Sequence, residues 1–406
     1  MQNQTYAGSP VLSFLKRWKV LTIGCLAHIV HDGITAMLYI LFPVWQAQLA
    51  LNFAQVGFLK MLTDGAISIF QIPSGLLAER VGERRMLLAG TLLTGSAVFF
   101  FGSATTLIVL GLLLILSGMG SSVQHPLASC VISQSYRGTE LRTALSVYNF
   151  SGDIGKLVIP AAAAFTLTQL SFPTTSHLIA GIGLAAGPII FLALKDNSAA
   201  KTSPVKKERS ATHIPSRSFK QIANPAFLSL ASIGLIDSAT RTGFLTFLPF
   251  ILREKGAGLP TMGLVLSLIF AGGAAGKFVC GVLATRVGIL RTVCITEVIT
   301  TVCIGCMIVF SLDNALLLAP VLGVALNGTS SVLYGSVPEL VSDGHRQMAF
   351  SMFYTITMGS GAVAPLVFGF VSDFTGVTVA VTIVAILVLA VLPLTLPLRG
   401  KLAQSC

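Results

Sequence analysis

Twelve apolar runs, each long enough to cross a bilayer, constrain this chain more than any other feature. They lie near residues 20–45, 54–76, 86–105, 107–134, 143–167, 176–194, 226–251, 262–284, 290–311, 315–338, 347–371 and 377–398. A spanning helix needs about 20 apolar residues, because each residue of helix advances about 1.5 Å through about 30 Å of hydrocarbon. Backbone amides find no water there, so each run must satisfy its own hydrogen bonds as a helix. The chain therefore reads as an all-α membrane protein. Only 10% of its 406 residues are charged, against about 25% in soluble domains. That shortfall excludes an ordinary soluble enzyme, a coiled coil and a disordered chain.

Orientation follows from the basic residues. With a cytoplasmic N-terminus, 20 of the 26 Lys and Arg fall on cytoplasmic segments and only two, Arg253 and Lys255, on outer loops. Lys60, Lys156, Arg241 and Lys277 lie within spans. Basic residues favour cytoplasmic loops, where anionic lipid attracts them. The net charge of +11 thus reflects a lipid surface. No pattern of interleaved aromatic and basic residues suggests nucleic acid. Lys16, Arg17 and Lys19 precede the first run, which is too long for a signal peptide and reads as the first span. The seven cysteines, including Cys303-x-x-Cys306, lie mainly in apolar segments and read as small packing residues. The polar stretch at 195–225 reads as a cytoplasmic linker between six-helix bundles at 1–194 and 226–406.

The two bundles are related by an internal repeat at an offset near 206. Gly75-Leu-Leu-Ala78-Glu79-Arg80-Val81-Gly82 recurs as Gly281-Val-Leu-Ala284-Thr-Arg286-Val287-Gly288. Gly57 pairs with Gly263, and Pro43 with Pro249. Repeated bundles of this kind mark transporters that rock around a midplane site.

Gly75-x-x-x-Glu79-Arg80-x-Gly82-x-Arg84-Arg85 resembles the loop 2–3 signature of the major facilitator superfamily, with Glu79 in place of the usual Asp. The resemblance covers the whole chain and implies a gating role for Gly75, Glu79, Arg80, Gly82, Arg84 and Arg85. A carboxylate there can cap a neighbouring helix and pair with arginine, latching one conformation. His28-x-x-x-Asp32, Gln71 and Gly120-Ser-Ser-Val-Gln-His125-Pro126 resemble the fosmidomycin-resistance branch. Those proteins are proton-driven exporters of small molecules, including a phosphonate antibiotic. The resemblance implies a bacterial inner-membrane, drug-efflux type of protein, by default a monomer. Gly152-Asp-Ile-Gly155 and Pro160 match the span 5 antiporter signature in part. Leu127, Asp153 and Lys156 depart from the fosmidomycin branch.

Ionisable groups inside a bilayer cost about 2.5 kcal/mol or more and mark transport pathways. Asp32, His28 and His31 in span 1 and Asp153 in span 5 are the candidates for proton coupling, with Asp32 the first choice as proton carrier. A structural Asp32 satisfied by His28 or His31 is the alternative. His125, Lys156, Asp237, Arg241, Tyr148, Tyr334 and Lys277 are candidates for binding substrate. Asp153 with Lys156, and Asp237 with Arg241, could instead neutralise each other at helical spacing. Lys60 is expected to pair with Asp64 or to reach the outer interface. Glu297 is expected near the cytoplasmic end of its span, as a gate or surface residue, and Lys277 is expected to have no local partner.

The expected function is proton-coupled antiport of a small organic compound, with an anion as the candidate class. Proton symport of such a compound is the alternative. Export of a divalent metal through His28, His31, Asp32 and His125 is less favoured, for want of tight ligand spacing. No cofactor is implied, and the absence of His-Glu-x-x-His and Gly-x-Ser-x-Gly argues against an enzyme.

Overall fold

The computed structural model describes residues 10–194, 224–342 and 345–402. The expected linker at 195–225 lies almost entirely outside them. Twelve spans follow one another among the described residues. They are α1 (Pro10–Leu49), α2 (Phe53–Val81), α3 (Glu83–Phe99), α4 (Leu107–Ser121 continuing as Gln124–Ser135), α5 (Gly138–Gln169) and α6 (Phe172–Ala193). Then come α7 (Pro225–Glu254), α8 (Leu259–Val287), α9 (Ile289–Val309), α10 (Leu312–Ser336), α11 (Arg346–Thr375) and α12 (Val377–Val388, with a last turn at Val391–Leu394). Ten are long and apolar enough to cross a membrane. The other two are α2 and α7, which carry the pairs Lys60–Asp64 and Asp237–Arg241.

Local sequence sets the helix ends. Asn52 and Gln55 form a reciprocal capping box at the start of α2. Thr106, Ser171 and Asn224 accept backbone N–H groups at the starts of α4, α6 and α7. Gly82 and Gly288, the repeat partners, turn the chain between spans at φ 96° and 91°, a conformation that glycine adopts without strain. Exposed apolar side chains such as Phe374, Val309, Leu192 and Phe278 give the outside of the bundle a surface suited to hydrocarbon.

Small residues bring the spans together. Any side chain at Gly33 or Gly155 would run into the facing helix, so α1 and α5 pack backbone to backbone. Gly272, Gly276 and Gly323 do the same for α8 against α10.

The first six and last six helices meet along α2 with α11 and α5 with α8. These contacts gather at the end bearing the 49–53 and 254–259 turns. There Gly57 lies on the Pro365 backbone, Gly369 on Phe53, and Gly263 on Ala164. The Asp373 carboxylate accepts the N–H groups of Phe53 and Ala54 at 2.7 and 3.0 Å. Arg253 donates to Gln46 at 2.5 Å. At the opposite end, where the Arg-rich turns lie, Gly75 and Gly281 have open space beside them.

Candidate functional site

Between the two sets of helices lies a cavity of about 630 Å³ lined from α1, α2, α4, α5, α7, α8, α10 and α11. That volume suits a small organic molecule. Its first wall is built on α1. His31, Asp32 and Thr35 face the cavity, and Gly152 on α5 lets His28 and Asp32 approach where a methyl group would collide with both.

Asp32 collects three partners. His28 Nε2 is 3.2 Å away, His125 Nε2 3.4 Å and Lys156 Nζ 2.9 Å. His28 Nδ1 lies 2.7 Å from the Tyr148 carbonyl. That carbonyl only accepts, so Nδ1 carries the hydrogen and Nε2 is left to face Asp32. His31 does not satisfy Asp32; it bonds Ser121 at 3.2 Å and Thr91 at 3.0 Å. The expected local pairing of Asp153 with Lys156 is displaced. They stand 3.7 Å apart, but Lys156 sits closer to Asp32, and Asp153 closer to Lys277 at 2.6 Å. Lys277 therefore has a partner, supplied by α5 from across the cavity. Its partner was missed because nothing in the linear spacing joins residues 124 positions apart.

The result is a continuous chain of charge, Asp32–Lys156–Asp153–Lys277, with the His28 imidazole at its first end. It crosses from the first six helices to the last six. On the opposite wall, Arg241 lines the cavity, and its Nη1 stands 3.9 Å from Asp237. At that length the pair is a loose contact without a hydrogen bond.

Several expectations need correction. Tyr148 does not line the cavity. It is buried and stacks on His28 at 4.2 Å, so it supports the imidazole from behind. Asp237 is buried behind Arg241 and is not among the lining residues. Lys60 does not reach an interface; it is buried, 2.7 Å from Asp64 and 4.9 Å from the centre of the Tyr39 ring. Glu297 is neither surface nor terminal. It is 2% exposed and belongs to the buried stripe of α9. Tyr334 does line the cavity, with its hydroxyl 2.9 Å from Thr357.

The loop 2–3 residues lie at the open end. Gly82 makes the turn, and Arg84 donates to the Phe191 carbonyl at 2.5 Å while its guanidinium covers that ring. Glu79 and Arg80 are exposed in the last turn of α2. Arg85 lies in the first turn of α3.

His28, Asp32 and His125 offer ligand atoms within 4.8 Å of one another. Ligand atoms that the linear spacing holds apart therefore meet in three dimensions. Charge weighs against a cation instead, since the Lys156 ammonium already sits on Asp32. Gln124, from the Gly120–Pro126 stretch, lines the cavity too, as do Asn149 and Asn327, which no motif singled out. Their signal was visible, since each is a lone amide inside an apolar run.

Comparison with known proteins agrees with this fold. The chain is 23% identical over 401 residues to the fosmidomycin resistance protein of Escherichia coli K12, covering 98% of this chain and 97% of that one. It is 22% identical to a probable sulfoacetate transporter, SauU, of Cupriavidus necator, covering 89% of this chain and 88% of that protein. Among solved structures, a bacterial homologue of the human lysosomal transporter Spinster, captured inward-facing, superposes with a TM-score of 0.77 at 15% identity over 98% of this chain and 99% of the other. The profile of the Major Facilitator Superfamily matches twice in tandem, at residues 24–236 and 230–403. Two matched halves, twelve helices and a charged cavity between them agree, and this chain belongs to the Major Facilitator Superfamily of membrane transporters.

Proposed function

We propose that this protein is a proton-coupled secondary transporter that exports a small organic anion in exchange for protons by alternating access. We place it as a monomer in a bacterial cytoplasmic membrane, its termini and the open end of its cavity on the cytoplasmic side, where 20 of 26 basic residues would then lie. The observation that carries proton coupling is the Asp32–Lys156–Asp153–Lys277 chain along the cavity. Each of its carboxylates lies against an ammonium, Asp32 on Lys156 and Asp153 on Lys277. Any event that separates them leaves a bare charge in the bilayer, which a proton neutralises. Lys156, Lys277 and Arg241 give the cavity its cations, and the planar guanidinium suits a carboxylate or phosphonate. Export rests on likeness to the fosmidomycin resistance protein. An anionic substrate is in keeping with the sulfoacetate named for a second relative.

The pairing of Lys156 with Asp32 and of Lys277 with Asp153 also fits the opposite coupling. An anion that takes Lys156 and Lys277 releases Asp32 and Asp153, which then bind protons, so anion and proton travel together as symport. Antiport follows where the substrate also takes a carboxylate and competes with the proton for the same oxygen.

The test is proton movement in proteoliposomes, read with a pH-sensitive dye, on adding phosphonates, carboxylates, cationic drugs or divalent metals. An anion that drives protons the opposite way to itself supports export by antiport; parallel movement establishes symport. Asp32→Asn is expected to abolish pH-driven transport while keeping substrate exchange. Driven transport equal to that of the wild type would refute Asp32 as the carrier.

A further inference from the structure

Asp32 and the two histidines beside it hold an arrangement that ion pairing alone does not explain. His28 Nδ1 gives its hydrogen to the Tyr148 carbonyl at 2.7 Å, so in the neutral ring Nε2 carries a bare lone pair. That nitrogen is sealed from water without a hydrogen-bond partner, and it stands 3.2 Å from Asp32 Oδ2. A lone pair and a carboxylate oxygen at that distance repel unless a cation lies between them. From the other side, His125 brings its Nε2 to 3.4 Å from Asp32 Oδ1. One ligand atom from each of the three residues lies within 4.8 Å of the others.

These spacings suit the shell of a metal ion. A tetrahedral ion with bonds of about 2.0–2.2 Å holds neighbouring ligand atoms about 3.3–3.6 Å apart. The two nitrogen–oxygen distances, 3.2 and 3.4 Å, stand close to that spacing. The third edge closes by rotation of His125, whose side chain is partly exposed to the cavity. A carbonyl that fixes the far nitrogen is the usual support of a metal-bound imidazole. Tyr148 supplies it and stacks its ring on His28 at 4.2 Å. His31 takes no part, being bonded to Ser121 and Thr91. Two imidazoles and one carboxylate suit Zn2+, Co2+, Ni2+ or Cu2+, whereas Mg2+ and Ca2+ require more oxygen.

Lys156 stands in the way, and the structure gives it somewhere to go. Its Nζ lies 2.9 Å from Asp32 and 3.7 Å from Asp153. A swing onto Asp153 frees Asp32 without stranding the ammonium. Asp153 then holds Lys156 together with Lys277, already 2.6 Å away.

We propose that His28, Asp32 and His125 form a binding site for a divalent transition metal, from which Lys156 withdraws to Asp153. A metal there takes the carboxylate assigned above to the coupling proton. That consequence rests on the transport reading, whereas the site itself does not.

Calorimetric titration of Zn2+ into the purified full-length protein, carrying no polyhistidine tag, tests it, with Co2+ absorbance as a second readout. The wild type should bind one equivalent. His28→Ala and His125→Ala should each weaken binding about tenfold or more. His177→Ala and His345→Ala, away from the cavity, should leave it unchanged. Lys156→Gln should tighten it about tenfold, because the competing cation is gone. Absence of binding at millimolar Zn2+, or binding unchanged in both His28→Ala and His125→Ala, would overturn the site. Weaker binding in Lys156→Gln would overturn the competition. Gel-filtration profiles matching the wild type establish that each variant is folded. His125 is the less buried ligand, so its variant decides the matter where His28→Ala does not fold.

Discussion

Asp373 holds the two halves together at one end, and its removal should open that end. It sits on α11, near the turn to α12, and its carboxylate accepts the first two N–H groups of α2 at 2.7 and 3.0 Å. A carboxylate at a helix N-terminus gains from both the free N–H groups and the helix dipole. This cap comes from the other half of the molecule. Asn52 already caps α2 from within, accepting from Gln55 at 2.8 Å. Loss of Asp373 therefore leaves the helix intact and weakens only the seam. A lost cap costs about 0.5–2 kcal/mol. Since the N–H groups lie at an exposed edge, water replaces part of that, so the low half of the range applies. About 1 kcal/mol changes a two-state ratio roughly fivefold, because 1.4 kcal/mol is tenfold.

The assay is a spin–spin distance between labels on Gln48 and Thr375, exposed positions at the same end, in a variant with its native cysteines replaced. Asp373→Ala should add a longer-distance population about fivefold above the wild-type level. Asp373→Asn, which keeps an acceptor oxygen and loses the charge, should fall between. Distance distributions identical in all three proteins would refute the cap as a determinant of closure.

Three other perturbations follow from the same geometry. Gly152→Ala places a methyl on His28 and Asp32 and should cost about 1–3 kcal/mol by overpacking, read as a lower Tm in detergent together with loss of proton-driven transport. Arg241→Lys should weaken binding of an anionic substrate about 10-fold, in line with loss of a charge-assisted bond worth about 1.5–3 kcal/mol, as measured by calorimetry; equal affinity would remove Arg241 from the site. Because Asp153 and Lys277 lie 2.6 Å apart across the cavity, Lys277→Asp should abolish transport, and adding Asp153→Lys should restore part of it; no recovery would show that the two positions are not interchangeable.

The fold was legible because the bilayer leaves so few options. A run of apolar residues has one way to satisfy its backbone there, and the basic residues between runs fix their alternation. The same logic located Asp32, His125, Lys156, Arg241 and Lys277, since a charge in an apolar run is visible by contrast. What the sequence hid was partnership. Helical spacing pairs Asp153 with Lys156 and Asp237 with Arg241, yet the shortest contacts of the first pair run to Lys277 and Asp32. Pairing across helices depends on how closely backbones approach, and that is set by glycines such as Gly152 and Gly155, whose facing neighbours no linear pattern names. The repeat offers a partial remedy. It relates His31 to Asp237 and Thr91 to Glu297, so a buried polar position in one half marks a buried polar position in the other. Where the paired residues differ in charge, as these do, the two halves respond differently to a proton. A transporter built from two copies of one fold thereby places cations on both cavity walls, Lys156 on one and Arg241 on the other, with different polar partners at equivalent positions of the two halves.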